Sequence, residues 1–471
     1  MSLLKAERRR AGMARGEGAN KEKHVTSPTD RLMAMLGTSD CYDVAPHDLL
    51  TEQLAAANER LESQFDSIGL LRHRSEAGGT TTINKPADLV PLLFAHTTYK
   101  SYSEGWLTDR QWDRMGRWLN TVSTRPVEDV NLDGVETLDG WIKQMETVGH
   151  YLSCSSGTTG KPAIMSGTEG DIDFSARGNA EGIVWALGLN PDARRKFFGI
   201  GPQFAAPRES AIREEMIAAI APGVEPFQFG SEPITVGSMV EMIVLRRKIA
   251  DGTAKPSEIA EFEQIAAKRG AEMVASSEET VDALIAARSQ PIMVSGMFGQ
   301  LYPIAEAVRE KGYSGSDFHA ENSMFVAGGL KGAVLPENYR EYILETFNVT
   351  ERRMYHMYSM RELNSTFPLC SAERYHIPPW VIALPLDVSG EQLLEVGNDD
   401  VEARAAFMDL SIEGRWGGII SGDKIAINFG KCACRHQGPT VAREIMRFSD
   451  LPDGDKISCA GSIDAYVRGV S

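Results

Sequence analysis

Apolar side chains recur every three or four positions over residues 46–65, where Leu50, Leu54 and Leu61 fall on one face. This period predicts an amphipathic helix. Helical spacing also covers 239–250, 257–268, 302–311 and 337–347. A further helical segment begins at Ser276. Ser276 and Glu279 have the spacing of a capping box, which predicts a helix start there.

Short, unbroken apolar runs separate these predicted helices, at 197–200, 273–275, 292–294 and 324–327. Such runs are typical of strands that are buried on both faces. Strands that alternate with helices through short connections favour an α/β sheet, so we predict an α/β core over 29–374.

The pattern changes after residue 375. Strand-like segments at 380–384, 416–420 and 424–429 are separated by Gly and Asp turns. Only 400–408 has a helical pattern in this part of the chain. These features predict a small β-rich subdomain over 375–471.

The chain has 471 residues and a formal net charge of −16, which argues against broad nucleic-acid binding. No apolar run reaches the roughly 18 residues that a membrane span needs. Residues 1–28 are charged and lack the pattern of a signal peptide, so we predict a disordered tail. Six cysteines without a secretion signal indicate a reducing compartment, and we expect a cytoplasmic protein.

A loop rich in hydroxyl groups follows residue 154, and its residues are Ser155, Ser156, Gly157, Thr158, Thr159, Gly160 and Lys161. The backbone N–H groups and hydroxyls of such a loop can surround phosphate oxygens, and a lysine adds a point charge. The loop is not a Walker A motif, because Pro162 follows the lysine. A flexible surface loop is the alternative.

The order Ser-Ser-Gly-Thr-Thr-Gly-Lys-Pro over 155–162 resembles the phosphate-binding signature of the adenylate-forming superfamily, which includes acyl- and aryl-CoA ligases. The resemblance implies an α/β N-terminal domain with two α/β subdomains and a small β-barrel-like subdomain. It also implies that the loop binds ATP and that Lys161 is catalytic.

Later segments match the superfamily in the same order. Gly328 and Gly329 follow a predicted strand, and the resemblance implies that they belong to the nucleotide site. The segment with Tyr358, Ser359, Met360 and Glu362 resembles the Y-G-x-T-E motif, which lines the adenine and acyl pockets. Glu362 is then catalytic and helps to hold Mg²⁺, since a hard cation prefers carboxylate oxygens.

Two positions depart from this motif. Ser359 replaces its glycine and Arg361 replaces its threonine, which removes a hydroxyl near the phosphates. Further on, Ser421-Gly422-Asp423 resembles the T-G-D motif, whose aspartate binds the ribose. A carboxylate suits this role because it can accept two hydrogen bonds from a vicinal diol. A simple β-turn is the alternative for this tripeptide.

Four residues form a candidate metal set: Cys370, His376, Cys432 and Cys434. Three thiolates and one imidazole make a normal tetrahedral zinc site. A structural zinc here would join the loop after Glu362 to the β-rich subdomain. The alternative is that these cysteines are small core residues and that His376 packs beside Pro378.

The order of these motifs is similar to that in the acyl-protein synthetases of bacterial bioluminescence and in the phenylacetate-CoA ligases. The short segments at 45–49 and 96–102 resemble the first group. The resemblance implies that a carboxylate attacks ATP to give an acyl-adenylate and pyrophosphate. A thiol then takes the acyl group. That thiol is a protein cysteine in the first group and coenzyme A in the second.

The same resemblance implies an acyl-CoA reductase or another acyl-accepting protein as partner, and it allows a homodimer. Several aromatic residues favour a carboxylic acid with an apolar tail. Residues 461–469 resemble the hinge before the superfamily's C-terminal lid, so we expect that lid to be absent. The alternative function is a non-catalytic nucleotide- or acyl-binding scaffold on the same fold that needs a partner protein.

Overall fold

The structure is a computed structural model that describes residues 27–155, 161–189, 194–230, 232–326, 328, 330, 333–397, 399–452 and 454–455. The predictions for residues 1–26, for Ser156, Gly157, Thr158, Thr159 and Gly160, for Gly329 and for the hinge segment 461–469 lie outside the described residues.

Helices dominate the first three hundred residues. The α-helices are α1 Pro28–Met33, α2 Pro46–Phe65, α3 Gly69–Gly78, α4 Glu104–Thr108, α5 Trp112–Asn120, α6 Leu138–Thr147, α7 Glu169–Leu187, α8 Pro207–Ile220, α9 Val236–Ala250, α10 Pro256–Ala286, α11 Phe298–Glu310 and α12 Tyr339–Thr346. Short 3-10 helices cover Pro86–Leu92, Thr98–Lys100, Gly315–Asp317, Glu351–Arg353 and Phe448–Asp450. Within the described residues, no helix is long and apolar enough to span a bilayer.

The strands are short except for two in the last hundred residues. They are β1 Phe94–Ala95, β2 Tyr151–Cys154, β3 Ile164–Gly167, β4 Lys196–Gly199, β5 Ile292–Gly296, β6 Ser323–Val326, β7 Met354–Tyr355, β8 Met357–Ser359, β9 Thr366–Pro368, β10 Arg374–His376, β11 Val381–Ala383, β12 Val401–Asp409, β13 Gly418–Asn428, β14 Thr440–Ala442 and β15 Met446–Arg447.

The α/β class is confirmed by a four-stranded parallel sheet with the order β4-β5-β6-β7. Parallel strands need crossover connections, and here helices supply them. Phe198, Val294 and Met324 are fully buried in this sheet, and Leu284 of α10 and Leu301 of α11 lie in the same apolar cluster. The strands predicted at 197–200, 292–294 and 324–327 are therefore confirmed over 197–199, 292–294 and 324–326.

The prediction of a strand at 273–275 is wrong, because these residues lie inside the 31-residue helix α10. The two helices predicted at 257–268 and from Ser276 are one. Ser276 does not cap a helix. It is buried, and its hydroxyl donates to the carbonyl of Gly230 at 2.7 Å.

A seven-stranded sheet contains most of the chain after residue 374. Its order is β10-β14-β13-β12-β11, and β1 pairs parallel with β13 while β15 pairs antiparallel with it. The helix predicted at 400–408 is wrong, because this segment is strand β12. The two strands predicted at 416–420 and 424–429 are largely one strand, β13, and the Ser-Gly-Asp segment lies in its middle.

Candidate active site

Two paired strands flank the predicted phosphate loop in the sequence. Strands β2 and β3 pair antiparallel, with Cys154 opposite Ile164. Ser155 closes the pair, since its N–H donates to the carbonyl of Ala163 at 2.9 Å and its hydroxyl accepts from the Ala163 N–H at 2.8 Å. The described residues on the two sides of the loop are therefore held together at Ser155 and Ala163.

Lys161 lies against Tyr102 at the end of this loop. Its ammonium group contacts the Tyr102 carbonyl and lies 4.4 Å from the centroid of the Tyr102 ring. The Tyr102 hydroxyl donates to the carbonyl of Pro162 at 2.7 Å. The segment at 96–102 thus contacts Lys161 and Pro162, which follow the loop in the sequence.

Glu362 lies in the turn between the paired strands β8 and β9. Two arginines hold the main chain of this turn. Arg208 donates to the carbonyls of Arg361 at 3.0 Å and Leu363 at 2.6 Å. Arg415 donates to the carbonyl of Glu362 at 3.0 Å. The backbone beneath the Glu362 side chain is therefore fixed from two sides.

Two buried carboxylates fix the next residues of the turn. Asp171 accepts a hydrogen bond from the Asn364 side chain at 2.8 Å and from the N–H groups of Glu413 and Gly414, both at 2.8 Å. Asp409 accepts from the N–H groups of Asn364 at 2.9 Å and Ser365 at 3.0 Å. A buried carboxylate requires such donors, and here they join the turn to two other segments.

Tyr358 and Asp423, which belong to two different motifs, contact one another. The Tyr358 hydroxyl donates to Asp423 Oδ2 at 2.8 Å, and Ser421 Oγ accepts from the Asp423 N–H at 2.9 Å. Asp423 Oδ1 lies 3.7 Å from Arg447 Nε of β15. The Asp423 carboxylate is therefore held in a fixed orientation beside β8.

A histidine that we gave no role lies next to this aspartate. A Cβ atom on Gly422 would lie 3.3 Å from His96 Cε1 and 3.2 Å from Asp455 Oδ2, so a larger residue there would press on both side chains. His96 Nε2 lies 3.8 Å from Asp455 Oδ2. Burial lowers the pKa of His96, while the Asp455 and Glu362 carboxylates oppose that change. Glu362 and His96 thus lie within electrostatic reach of one another.

The remaining predicted positions are placed as follows. Gly328 follows β6 with a φ of 81°, a backbone conformation that favours glycine. Ser359 is exposed at the end of β8, opposite Thr366. Met360 is partly buried against the main apolar cluster. Of the predicted nucleotide-site residues, the structure brings Tyr358, Glu362 and Asp423 together.

The four predicted metal ligands form one cluster. The donor atoms of Cys370, His376, Cys432 and Cys434 all lie within 4.8 Å of one another. Cys370 Sγ lies 3.8 Å from Cys432 Sγ, and Cys434 Sγ lies 3.3 Å from His376 Nε2. Two sulfurs bound to one tetrahedral zinc at about 2.3 Å would also lie roughly 3.8 Å apart. The donor set therefore fits a structural zinc ion.

Two further residues cover this cluster. His436 Nδ1 lies 3.4 Å from Cys434 Sγ, and its position two residues after a cysteine was a signal that our sequence reading missed. The Trp185 ring of α7 packs against His376 at 5.2 Å and against His436 at 5.3 Å between ring centroids. One end of α7 thus contacts the cluster, and the other end carries Asp171.

From the sequence alone we also missed the buried polar residues that hold the turn. A sequence signal exists for two residues at the start of α7. Thr168 and Asp171 form a capping box at the start of α7, which is a pattern that the sequence contains. Arg208, Arg415 and Asp409 have no such pattern, because their partners lie far away along the chain.

No protein-family model and no curated protein matches the chain. Among solved structures, the fold is similar to 2-hydroxyisobutyryl-CoA ligase in an open conformation in complex with 2-HIB-AMP and CoA, with a TM-score of 0.53 and 13% identity over 94% of this chain and 82% of that chain. The same ligase in the postadenylation state with R3-HIB-AMP gives a TM-score of 0.52 and 12% identity over 92% of this chain and 72% of that chain. As the motifs predicted, the chain has the fold of the adenylate-forming acyl-CoA ligases.

Proposed function

We propose that this protein activates a carboxylic acid with ATP, through an acyl-adenylate, and transfers the acyl group to a thiol. The observation that carries the proposal is the hydrogen bond of 2.8 Å from Tyr358 to Asp423, made by the strand that leads into Glu362. Strand β8 therefore contacts Asp423, the carboxylate proposed to bind the ribose diol, and leads into Glu362, the carboxylate proposed to bind the cation.

The reaction has two steps. A carboxylate oxygen of the acid attacks the α-phosphorus of ATP, and the bond from that phosphorus to the bridging oxygen of pyrophosphate breaks. The thiol then attacks the acyl carbonyl as its thiolate, and AMP leaves. Negative charge increases on the α-phosphate in the first step, so fixed cations and N–H groups lower its barrier.

Each predicted residue takes one role in this scheme. Asp423 accepts hydrogen bonds from the ribose hydroxyls, and Tyr358 orients it. The loop from Ser155 to Gly160 binds the phosphates, and Lys161 moves from its contact with Tyr102 to add positive charge. Gly328, Gly329, Ser359 and Met360 complete the nucleotide and acyl pockets.

Two metal ions belong to the proposal. Glu362 would hold Mg²⁺, which neutralises phosphate charge when it is bound. Cys370, His376, Cys432 and Cys434 would hold a structural Zn²⁺. These donors join β9 and β10 to the segment after β13, so they hold the base of the hairpin whose turn contains Glu362.

Less specific observations support the class of carboxylic acid and the identity of the thiol that accepts the acyl group. A fold similar to a ligase that binds 2-HIB-AMP and CoA supports an acyl-adenylate and makes coenzyme A one acceptor to test. The motif order supports a protein cysteine as the other acceptor, with an acyl-CoA reductase as one partner. The aromatic content near 99–118 favours an apolar acid.

Release of pyrophosphate tests the proposal. Purified protein is incubated with ATP and Mg²⁺ and with fatty, aryl, polycyclic and short 2-hydroxy acids, each with and without coenzyme A. We expect one acid class to release pyrophosphate, and Glu362→Gln to reduce the rate at least about 100-fold, as loss of transition-state charge stabilisation does. Glu62→Gln, at an exposed position of α2, is the matched control. ATP binding without pyrophosphate release for any acid would instead indicate a scaffold.

A further inference from the structure

Arg361, which replaces the motif's threonine, forms an ion pair with Glu209 in the first turn of α8. One nitrogen of the guanidinium, Nη1, contacts Glu209 Oε1. The other carboxylate oxygen, Oε2, is buried and has no hydrogen-bond partner in the described part of the chain. The pair is therefore incomplete on the carboxylate side, because a bidentate arginine–carboxylate pair would satisfy both oxygens.

Two further arginines, Arg208 and Arg415, lie close to Arg361. Burial, together with the charges of Arg415 and Arg361, lowers the pKa of the Arg208 guanidinium to about 9, although the Asp171 and Asp409 carboxylates oppose this change. Arg208 and Arg415 both donate to main-chain carbonyls of the turn, so their hydrogen bonds do not place a counter-charge on them. An anion bound here would relieve this repulsion, and Arg361 is the member of the three that pairs with a carboxylate.

Arg361 also lies close to Glu362 and to Cys154 at the end of β2. It immediately precedes Glu362 in the turn. Its charge opposes the effect of burial, which raises the pKa of the Cys154 thiol to about 12, and this places the guanidinium near the end of β2. Cys154 directly precedes Ser155, where the phosphate loop begins. The guanidinium is one-third exposed, at 33%, so a ligand can reach it.

We propose that Arg361 binds the phosphates of the nucleotide and that Glu209 holds its guanidinium until those phosphates displace the carboxylate. The inference rests on the proposed function and assigns a phosphate ligand to it. Phosphate oxygens match the planar fork of an arginine better than a single carboxylate oxygen does. Glu209 then acts as an internal competitor that weakens nucleotide binding.

Opposite effects of two substitutions test this exchange. We expect Arg361→Thr, which restores the motif's residue, to raise the Kd of ATP about 10-fold or more, because a charge-assisted contact is lost. Glu209→Gln removes the competing charge, so we expect it to lower the Kd of ATP about 3-fold or more. Adenosine, which has no phosphate, should bind equally well to all variants, and calorimetric titration measures each value.

A second ion pair of similar exposure serves as the control. Arg31 of α1 and Glu52 of α2 form this pair, with 2.6 Å between Arg31 Nη2 and Glu52 Oε1. Arg31→Thr and Glu52→Gln should leave the Kd of ATP unchanged. Arg361→Lys keeps the charge but loses the fork, so it should restore only part of the affinity.

The outcomes separate this inference from the proposed function. If Glu209→Gln weakens ATP binding or leaves it unchanged, the pair only joins α8 to the turn and the inference is wrong. This variant keeps the test decisive even if Arg361→Thr does not fold. If the unaltered protein binds no ATP at all, the proposed function itself fails.

Discussion

The Tyr358 hydroxyl donates to Asp423 Oδ2 at 2.8 Å, across 65 residues of sequence. Burial raises the pKa of Tyr358 well above 10, and the Asp423 carboxylate adds to this change. The hydroxyl therefore stays protonated and donates at every physiological pH. The contact joins the strand before the Glu362 turn to the middle of β13.

Loss of this hydroxyl should affect the binding of ATP more than the chemical step. We expect Tyr358→Phe to raise the KM for ATP about 3- to 10-fold with little change in kcat, because one hydrogen bond to a charged group is worth about 1.5 kcal/mol. Steady-state pyrophosphate release measures both constants. Tyr339→Phe, in α12, is the control. An unchanged KM with a lower melting temperature would show that the contact serves stability alone.

Asp171 is the buried carboxylate that joins α7, the turn with Asn364 and the segment at 413–414. We expect Asp171→Asn to reduce the free energy of unfolding by about 2 to 4 kcal/mol, because an amide presents a donor where several N–H groups already point. Urea denaturation measures the change. Asp129→Asn, at an exposed position, should alter stability by less than about 0.5 kcal/mol. Equal effects of both changes would contradict the role of Asp171.

The metal cluster predicts a link between zinc content and stability. We expect Cys434→Ser to reduce bound zinc from one ion per chain and to lower the unfolding midpoint by about 5 °C or more, because binding energy at a structural site is folding energy. Mass spectrometry of metals and thermal denaturation measure the two effects. Cys41→Ala removes a buried thiol outside the cluster and should retain the zinc. Full zinc content in Cys434→Ser would exclude this residue as a ligand.

His150 makes stability depend on pH. It is fully buried beside Ser166, 2.7 Å from Nδ1 to Oγ, and burial lowers its pKa from 6.5 to about 4. Between these values the unfolded chain binds the proton and the folded chain does not. The contribution of His150 is therefore complete above pH 6.5 and is lost as the pH falls through 4.

The full contribution is on the order of 3 kcal/mol. We expect His150→Gln to reduce the difference in unfolding free energy between pH 7.5 and pH 4.5, measured by urea denaturation. His47→Gln, at an exposed side chain, should leave that difference as it is. The same pH dependence in His150→Gln and the unaltered protein would show that other groups cause it.

The motifs selected Tyr358, Glu362 and Asp423 as site residues, and the structure joins Tyr358 to Asp423 by a hydrogen bond. The sequence also predicted the α/β class from its alternation of apolar runs and helical segments. It failed at β12, which has the alanine-rich composition of a helix. Seven of its nine residues are buried in succession, so the alternation that identifies a strand is missing. Pairing with β13 along almost its whole length outweighs the local helix propensity.

The supports of the candidate site could not be predicted for a different reason. Arg415 donates to the carbonyl of Ser166, 249 residues earlier, and Asp171 accepts from Gly414, 243 residues later. Main-chain groups carry no side-chain signature, so no spacing in the sequence indicates these partners. Such contacts become visible only when the fold places the segments together.

The separation of the metal donors has a consequence for synthesis on the ribosome. Cys370 and His376 emerge before the segment that contains Cys432 and Cys434 has been translated. At a synthesis rate of about 5–20 residues per second, several seconds pass between the emergence of the first two donors and that of the other two. During that interval the thiol of Cys370 is open to oxidation, and β10 lacks its partner strand β14. With the zinc ion that we propose, the cellular supply of zinc would set the yield of correctly folded chains as well as the stability of the finished protein.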